Sequence, residues 1–324
     1  MMLRSLLTLA ELSEAEVRGL IKASLAVKQS WEGLVREEPL RGRVVLLYFE
    51  LPSTRTRLSF ESAAVRLGAG PIYLRERDLQ VSRGEPLSDT ARVLSAMSDV
   101  VVARVRSHAR LVELAEHSNV PVVNALTDMY HPTQALTDLM TMLEVKGRLR
   151  GLRVAYVGDG CNNVCHSLLI ACSKVGADIR VASPPGYEPD PEVLEVALRC
   201  SRESGSEVRV LSDPAKAVRG ADVVYTDVFV SMGREAERER RMRDFAGWQV
   251  NKSLVAQAKE DYIFMHCLPA HRGEEVASDV IDDEEHSVVW LQAANKMYVA
   301  AALLLAYCSP ASLQKLSGGG ASLK

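Results

Sequence analysis

At 324 residues the chain is too long for one comfortable hydrophobic core and suits two medium domains. Apolar residues make up 47% and charged residues 25%, the balance of an ordinary soluble globular protein, and a formal net charge of −3 excludes a global attraction for nucleic acid or an anionic membrane. Any binding of anions must come from local clusters of arginine and backbone N–H groups. The start, MMLRSLLTLAELSEAEV, shows no small-residue cleavage site and runs into Ser13-x-x-Glu16, a capping box that predicts the first helix of the mature protein. No run of about 18 apolar residues is present, so no membrane span is expected.

Strand-like and helix-like segments then alternate. RVVLLYF (43–49) reads as a strand, Ser53 to about Leu67 as a helix, PIYL (71–74) as a strand and PLSDTARVLSAM (86–97) as a helix. DVVVARV (99–105) and VPVVNAL (120–126) are predicted strands around a helix at LVELAEHS (111–118), and a longer helix is predicted from about Thr133 to Lys146. The pattern restarts with the strand LRVAYVG (152–158), a helix closed by Gly176, the strand DIRVAS, a helix from PEVLEVALRCSRESG, the strand EVRVLS, the short helix PAKAVRG, and the strands DVVYTDV (222–228) and YIFMHCL (262–268). Repeated βα units predict an α/β fold of two doubly wound parallel-sheet domains joined by interdomain helices, 1–147 and 148–290. A strongly apolar helix at about 291–310 is expected to pack back on the first domain, being too short and too interrupted by Asn295 and Lys296 for a bilayer, and 317–324 is expected to be a flexible tail.

The six cysteines, Cys161, Cys165, Cys172, Cys200, Cys267 and Cys308, have no disulfide-scaffold spacing, which favours free thiols in a reducing, cytoplasmic setting. Cys161, Cys165 and His166 lack the second Cys/His pair of a structural zinc site.

Polar clusters fall at the strand ends. Ser53, Thr54, Arg55 and Thr56 crowd the start of a helix, where free N–H groups and the helix dipole already favour an anion. Arginine adds a planar fork that matches phosphate; the plainer reading is a capped helix with solvated arginines. HPTQ places His131 and Gln134 where an imidazole and an amide can polarise a carbonyl and hold an NH₂, although a lone loop histidine is commonly structural. GDGCNNV (158–164) is a poor dinucleotide fingerprint, with Asn163 at the third glycine and no acidic residue after the next strand, but exposed Asn162 and Asn163 still suit a polar small molecule. FMHCLPAHRGEE brings His266 and Cys267 to a strand end, open to reading as a Cys–His nucleophile, a metal pair with His271, or a buried inert thiol. TDVFVSMG offers Asp227, Ser231 and Met232 at another strand end.

STRTR, HPTQ, GDG-x-NN, D-x-x-x-SMG and HCLP, in this order, resemble the ornithine carbamoyltransferases from about residue 5 to residue 308. STRTR and HPTQ are shared with aspartate carbamoyltransferases, whereas SMG and HCLP mark the ornithine branch. The resemblance implies that carbamoyl phosphate and L-ornithine give citrulline and phosphate, with no metal and no organic cofactor. It implies a carbamoyl phosphate-binding first domain and an ornithine-binding second domain that close over the substrates, in a homotrimer or a multiple of trimers. Ser53, Thr54, Arg55 and Thr56 would hold the phosphate, Arg104 both phosphate and carbonyl oxygen, His131 the carbonyl oxygen and Gln134 the carbamoyl NH₂. Gln80 would reach into a neighbouring subunit's site. Asn163, Asp227, Ser231 and Met232 would bind the amino and carboxylate groups of ornithine, and Cys267 and Leu268 would line the place where amine meets carbonyl carbon. Carbamoyltransferases acting on putrescine, acetylornithine or aspartate are the near alternatives, and a nicotinamide-dependent oxidoreductase or a catalytically dead anion-binding subunit the remote ones.

One position departs from the pattern. Where the family usually has Ala-Glu-Asn-Arg, this chain reads Ala293-Ala294-Asn295-Lys296. Lysine keeps the charge but lacks the bidentate fork, so weaker carbamoyl phosphate binding or a compensating contact is expected. Lys296→Arg is expected to lower the Michaelis constant for carbamoyl phosphate; an unchanged or raised value contradicts this.

Overall fold

The structure, a computed structural model, describes residues 5–231 and 234–318. The chain divides into two compact units, residues up to 140 together with those from 295 onward, and residues 141–294. Helices α1 (Glu14–Gln29) and α2 (Trp31–Glu37) come first. The expected capping box is present: the Ser13 hydroxyl accepts the Glu16 N–H at 3.2 Å, and the Glu16 carboxylate accepts the Ser13 N–H at 2.7 Å. Then come β1 (Val44–Phe49), α3 (Thr54–Arg66), β2 (Gly70–Arg75), α4 (Leu87–Ala96), β3 (Val100–Arg104), α5 (His108–His117), β4 (Val122–Leu126) and α6 (Pro132–Lys146), the last carrying the chain into the second unit.

The second unit runs through β5 (Arg153–Val157), α7 (Asn163–Val175), β6 (Asp178–Ala182), α8 (Pro191–Ser204), β7 (Val208–Leu211), α9 (Pro214–Val218) and β8 (Val223–Thr226). Short helices α10 (Arg238–Asp244) and α11 (Lys252–Val255) precede β9 (Ile263–His266), and α12 (Ser278–Ile281) follows it. Helix α13 (Val289–Cys308) returns the chain to the first unit, where α14 (Pro310–Gly318) ends the described residues.

Both sheets are wholly parallel, in the order β2-β1-β3-β4 and β7-β6-β5-β8-β9. Runs such as VVLLYF in β1 are apolar on both faces because helices cover both, and β1, β3, β5, β8 and β9 are almost entirely buried. In each sheet the winding reverses beside the first strand laid down, between β1 and β3 and between β5 and β8. At such a reversal the connections leave in opposite directions, and a crevice opens beyond the strands' carboxyl ends.

Several expectations shift. Helix α5 begins at His108, earlier than LVELAEHS, because the Ser107 hydroxyl accepts the Arg110 N–H and caps it. Helix α13 is 20 residues long, so length does not separate it from a membrane span; its burial does, with Val299 to Leu305 at 2% exposure or less. Helix α14 reaches Gly318, two residues into the stretch expected to be a tail, and 319–324 lie outside the described residues.

Gly160 shows why the turn after β5 is glycine-bearing. A Cβ there would stand 2.7 Å from the Tyr187 carbonyl oxygen and 3.1 Å from the Pro189 nitrogen, both backbone atoms that cannot swing aside. Gly160→Ala is expected to cost about 1–3 kcal/mol and to lower the melting temperature by several degrees. An unchanged melting curve contradicts this packing argument.

Candidate active-site residues

In the first unit the sites grow from the β1/β3 reversal. Phe49, the last residue of β1, pairs with Arg104, the last of β3, so the 50–56 segment and the Arg104 guanidinium leave the sheet side by side. Glu50 fixes that geometry. Its buried carboxylate accepts from Tyr48 Oη at 2.8 Å, the Arg106 N–H at 2.9 Å and Arg110 Nη2 at 2.7 Å, and its own N–H donates to the Arg104 carbonyl at 2.8 Å. Burial and the adjoining Glu50 raise the Tyr48 pKa above the usual phenol range. Sequence reasoning gave Glu50 no role, since nothing local tells that its partners arrive some 55 residues later.

Ser53 is the N-cap of α3, its hydroxyl accepting the Thr56 N–H at 3.3 Å, and no acidic residue sits in the first turn. That leaves the turn's dipole uncancelled with Thr54, Arg55 and Thr56 on it. Arg57 is committed elsewhere: it pairs with Glu61 at 3.0 Å and lies 3.6 Å over the Tyr73 ring.

His131, Gln134 and Lys296 form one buried cluster in the same unit. Lys296 Nζ donates to Gln134 Oε1 and lies 3.4 Å from His131 Nε2, while Gln134 Nε2 donates to Asp138 at 2.8 Å. Thr133 Oγ1 is 3.2 Å from His131 Nδ1. Burial, then the charges of Lys296 and Arg104, hold the His131 pKa well below the usual imidazole value, so the ring is neutral at pH 7. A neutral ring can donate from one nitrogen and accept at the other, which suits polarising a carbonyl rather than delivering a full proton. Gln80 stands apart, exposed on a short 3₁₀ turn beside Arg83.

The second unit brings together Asp227, Cys267 and the turn after β5. Val157, Thr226 and His266 are aligned across the β5, β8 and β9 pairings, so the residues after each strand emerge at one level. Cys267 Sγ donates to Asp227 Oδ1 at 3.1 Å, and the Val228 N–H reaches the same oxygen at 2.8 Å. Asn162 donates to Asp227 Oδ2 at 3.2 Å and to Tyr156 Oη at 2.9 Å, and also caps α7. It is therefore buried at 5% exposure, not exposed as expected from the sequence. Asn163 is the first residue of α7 and is half-buried, as is Ser231; Met232 lies outside the described residues.

His266 is a positioning group. Its Nδ1 accepts the Leu268 N–H at 2.9 Å and its Nε2 lies 3.2 Å from buried Glu275, which fixes the tautomer with the proton on Nε2. This holds Leu268 at φ +59, a left-handed conformation costly for a branched side chain. A Cys–His nucleophile is not built here, because the Cys267 thiol faces Asp227 instead. Asp227, His266 and Cys267 form one cluster of metal-ligating types, and His271, Glu274 and Glu275 another; both nitrogens of His266 already have protein partners. His166, whose neighbourhood lacks the second Cys/His pair of a zinc site, accepts the Asp190 N–H at 3.2 Å.

Comparison with known proteins also gives two parts, although the second match extends to residue 307 and so includes the start of the C-terminal segment that packs in the first unit. Residues 4–144 match the aspartate/ornithine carbamoyltransferase carbamoyl-P binding domain, and residues 150–307 match the Asp/Orn binding domain of that family. An ornithine carbamoyltransferase of Ignicoccus hospitalis is 51% identical over 302 residues, covering 93% of this chain and 97% of the relative. That of Bacillus subtilis is 48% identical, covering 94% and 93%. The solved ornithine carbamoyltransferase of Pyrococcus furiosus superposes with a TM-score of 0.89 at 48% identity, covering 94% of this chain and 96% of that one.

Burial raises the Asp227 pKa above its ordinary value, against the opposing hydrogen bonds from the Cys267 thiol and the Val228 N–H. A carboxyl raised in this way supports the fold less as pH climbs from its unfolded pKa through its higher folded one. Asp227→Asn is therefore expected to keep its stability within about 1 kcal/mol, relief of the buried charge offsetting the weakened bond to Asn162. The Michaelis constant for the amino-acid substrate is expected to rise about tenfold or more. Lost stability with an unchanged Michaelis constant contradicts this.

Proposed function

The chain belongs to the aspartate/ornithine carbamoyltransferase family, and on that premise we propose how its residues divide the work. The enzyme is an ornithine carbamoyltransferase: it moves the carbamoyl group of carbamoyl phosphate to the δ-amine of L-ornithine, giving L-citrulline and phosphate. In our reading Ser53, Thr54, Arg55 and Thr56 hold the phosphate at the start of α3, and Arg104 joins them from the end of β3. His131 donates to the carbonyl oxygen, Gln134 holds the carbamoyl NH₂, and Lys296 lies against both. Asp227 takes the α-ammonium of ornithine with help from Asn163, Ser231 and Met232, while Cys267 and Leu268 border the attacking amine.

The chemistry follows from those roles. The δ-ammonium gives one proton to solvent, and the resulting amine attacks the carbonyl carbon. The resulting oxyanion is stabilised by Arg104, His131 and Thr56, each such donor being worth ~3 kcal/mol by mutational loss. As the carbon–oxygen bond to phosphate breaks, the attacking nitrogen's second proton passes to the leaving phosphate, and the resulting dianion remains paired with Arg55 and the helix terminus. Most of the rate enhancement is positioning and preorganised charge.

The observation that carries the ornithine reading is the buried Asp227 carboxylate, held by Asn162 and Cys267 at the β5/β8 reversal. A free α-ammonium satisfies it; an acetylated amine does not, and aspartate would add a second carboxylate.

A homotrimer, or a multiple of trimers, in which Gln80 enters a neighbour's site belongs to the same proposal. Support comes from Leu58 and Val65, seven residues apart on α3 at 60% and 61% exposure, and from Ile72 at 44% on edge strand β2. Six free cysteines support a cytoplasmic, reducing location. The deciding experiment offers carbamoyl phosphate with ornithine, putrescine, N-acetylornithine or aspartate in turn. Citrulline formation is expected to dominate, and Arg55→Ala to reduce it by about 100-fold or more. Preference for aspartate, or undiminished turnover in the variant, overturns the reading.

A further inference from the structure

Arg241 is the odd member of its segment. Arg234, Arg238, Arg240 and Arg243 are exposed, whereas Arg241, on α10, is 1% exposed. A guanidinium is costly to bury unless its donors are met, and here three acceptors meet it. Nη1 donates to Asp159 Oδ2 at 2.6 Å and to the Phe229 carbonyl at 2.8 Å, and Nε donates to Glu237 at 2.9 Å. Tyr187 lies 5.0 Å beneath the guanidinium. Phe229 and Phe245 stack at 4.5 Å, and Tyr187 meets Phe245 edge-on at 4.7 Å, so an aromatic cluster closes around the pair.

Those contacts join two stretches that flank Asp227. Asp159 uses its other oxygen to accept the Cys161 N–H at 3.0 Å, which shapes the turn that delivers Asn162. Asn162 in turn donates to Asp227. From the other side, the carbonyl of Phe229 lies only two residues beyond Asp227. A buried ion pair is weak support for stability, because apolar residues of equal volume commonly serve as well; its value lies in fixing one arrangement.

We propose that Arg241 is a positioning residue for the amino-acid substrate: by holding Asp159 and the Phe229 carbonyl at one point, it sets the register in which Asn162 aims Asp227. Arg241 touches no reacting atom. The inference rests on Asp227 binding the substrate's ammonium group, so the test separates the two.

The test compares Arg241→Gln with the neutral pair Asp159→Asn/Arg241→Gln, which removes both buried charges together. Each is assayed for kcat, for both Michaelis constants and for melting temperature. The ornithine Michaelis constant is expected to rise about tenfold in both variants, with kcat within about threefold and the carbamoyl phosphate constant within about twofold of the parent. The double variant is expected to recover much of the melting temperature without recovering the ornithine constant. An ornithine constant within twofold of the parent overturns the proposal, as do equal shifts for both substrates. Failure of both variants to fold assigns Arg241 a purely structural role and overturns it as well. Asp227→Asn is run alongside: if it too leaves the ornithine constant unchanged, the reading of Asp227 fails; if only the Arg241 variants do, the positioning role alone fails.

Discussion

Parallel pairing that brings Val157, Thr226 and His266 to one level is the constraint on which the amino-acid side of the molecule depends. Each strand contributes its next residues to the same crevice: a glycine turn from β5, a carboxylate from β8, a thiol from β9. A slip along any one pairing would move every following side chain by a whole residue and turn it to the opposite face. Thr226 guards against it, its hydroxyl donating to the Val157 carbonyl at 2.6 Å beneath the turn. Gln292 does the same for the next pair, accepting the His266 N–H and donating to Tyr225 Oη. Placement of the chemical groups is thus a property of the sheet before it is a property of the loops.

The same logic operates in the first unit with different materials. There the aligned ends are Phe49 and Arg104, and the fastening is Glu50 rather than a hydroxyl. In the proposed division of work, one unit offers positive charge and donors to a phosphate, and the other a carboxylate and a thiol to an amine. Their sheets share a winding plan while their strand-end residues are chemically opposite. Fold alone would not have separated the two tasks.

Strands were readable because buried parallel strands are unbroken apolar runs, as in VVLLYF and VVVAR. Helix α7 was readable to its last residue, since Gly176 at φ +74 closes it as its position announced. Helices α2, α10, α11 and α12 are seven residues or fewer, and too little periodicity accumulates over one or two turns to declare them; α9, just as short, was readable from the Pro214 that opens it and the Gly220 beyond it. Within the site, the STRTR cluster was legible because its polar excess is local. Glu50 and Asn162 were not, because their partners are distant in the chain: Arg106 and Arg110 for one, Asp227 for the other. Asn162 even read as exposed, as an asparagine at a turn commonly is.

Glu50 has a bearing on how an acidic molecule meets an acidic reagent. Its carboxylate comes three residues before the α3 cap and, left to itself, would repel an incoming dianion. Arg110 at 2.7 Å, with Arg106 farther off at 3.7 Å and shared with Glu76, offsets that charge and weakens the field it would project towards the α3 start. Such a field is local, fading within roughly 8 Å at physiological ionic strength. Sorting of ligands therefore happens on contact, by shape and hydrogen bonding, rather than by long-range guidance through solution.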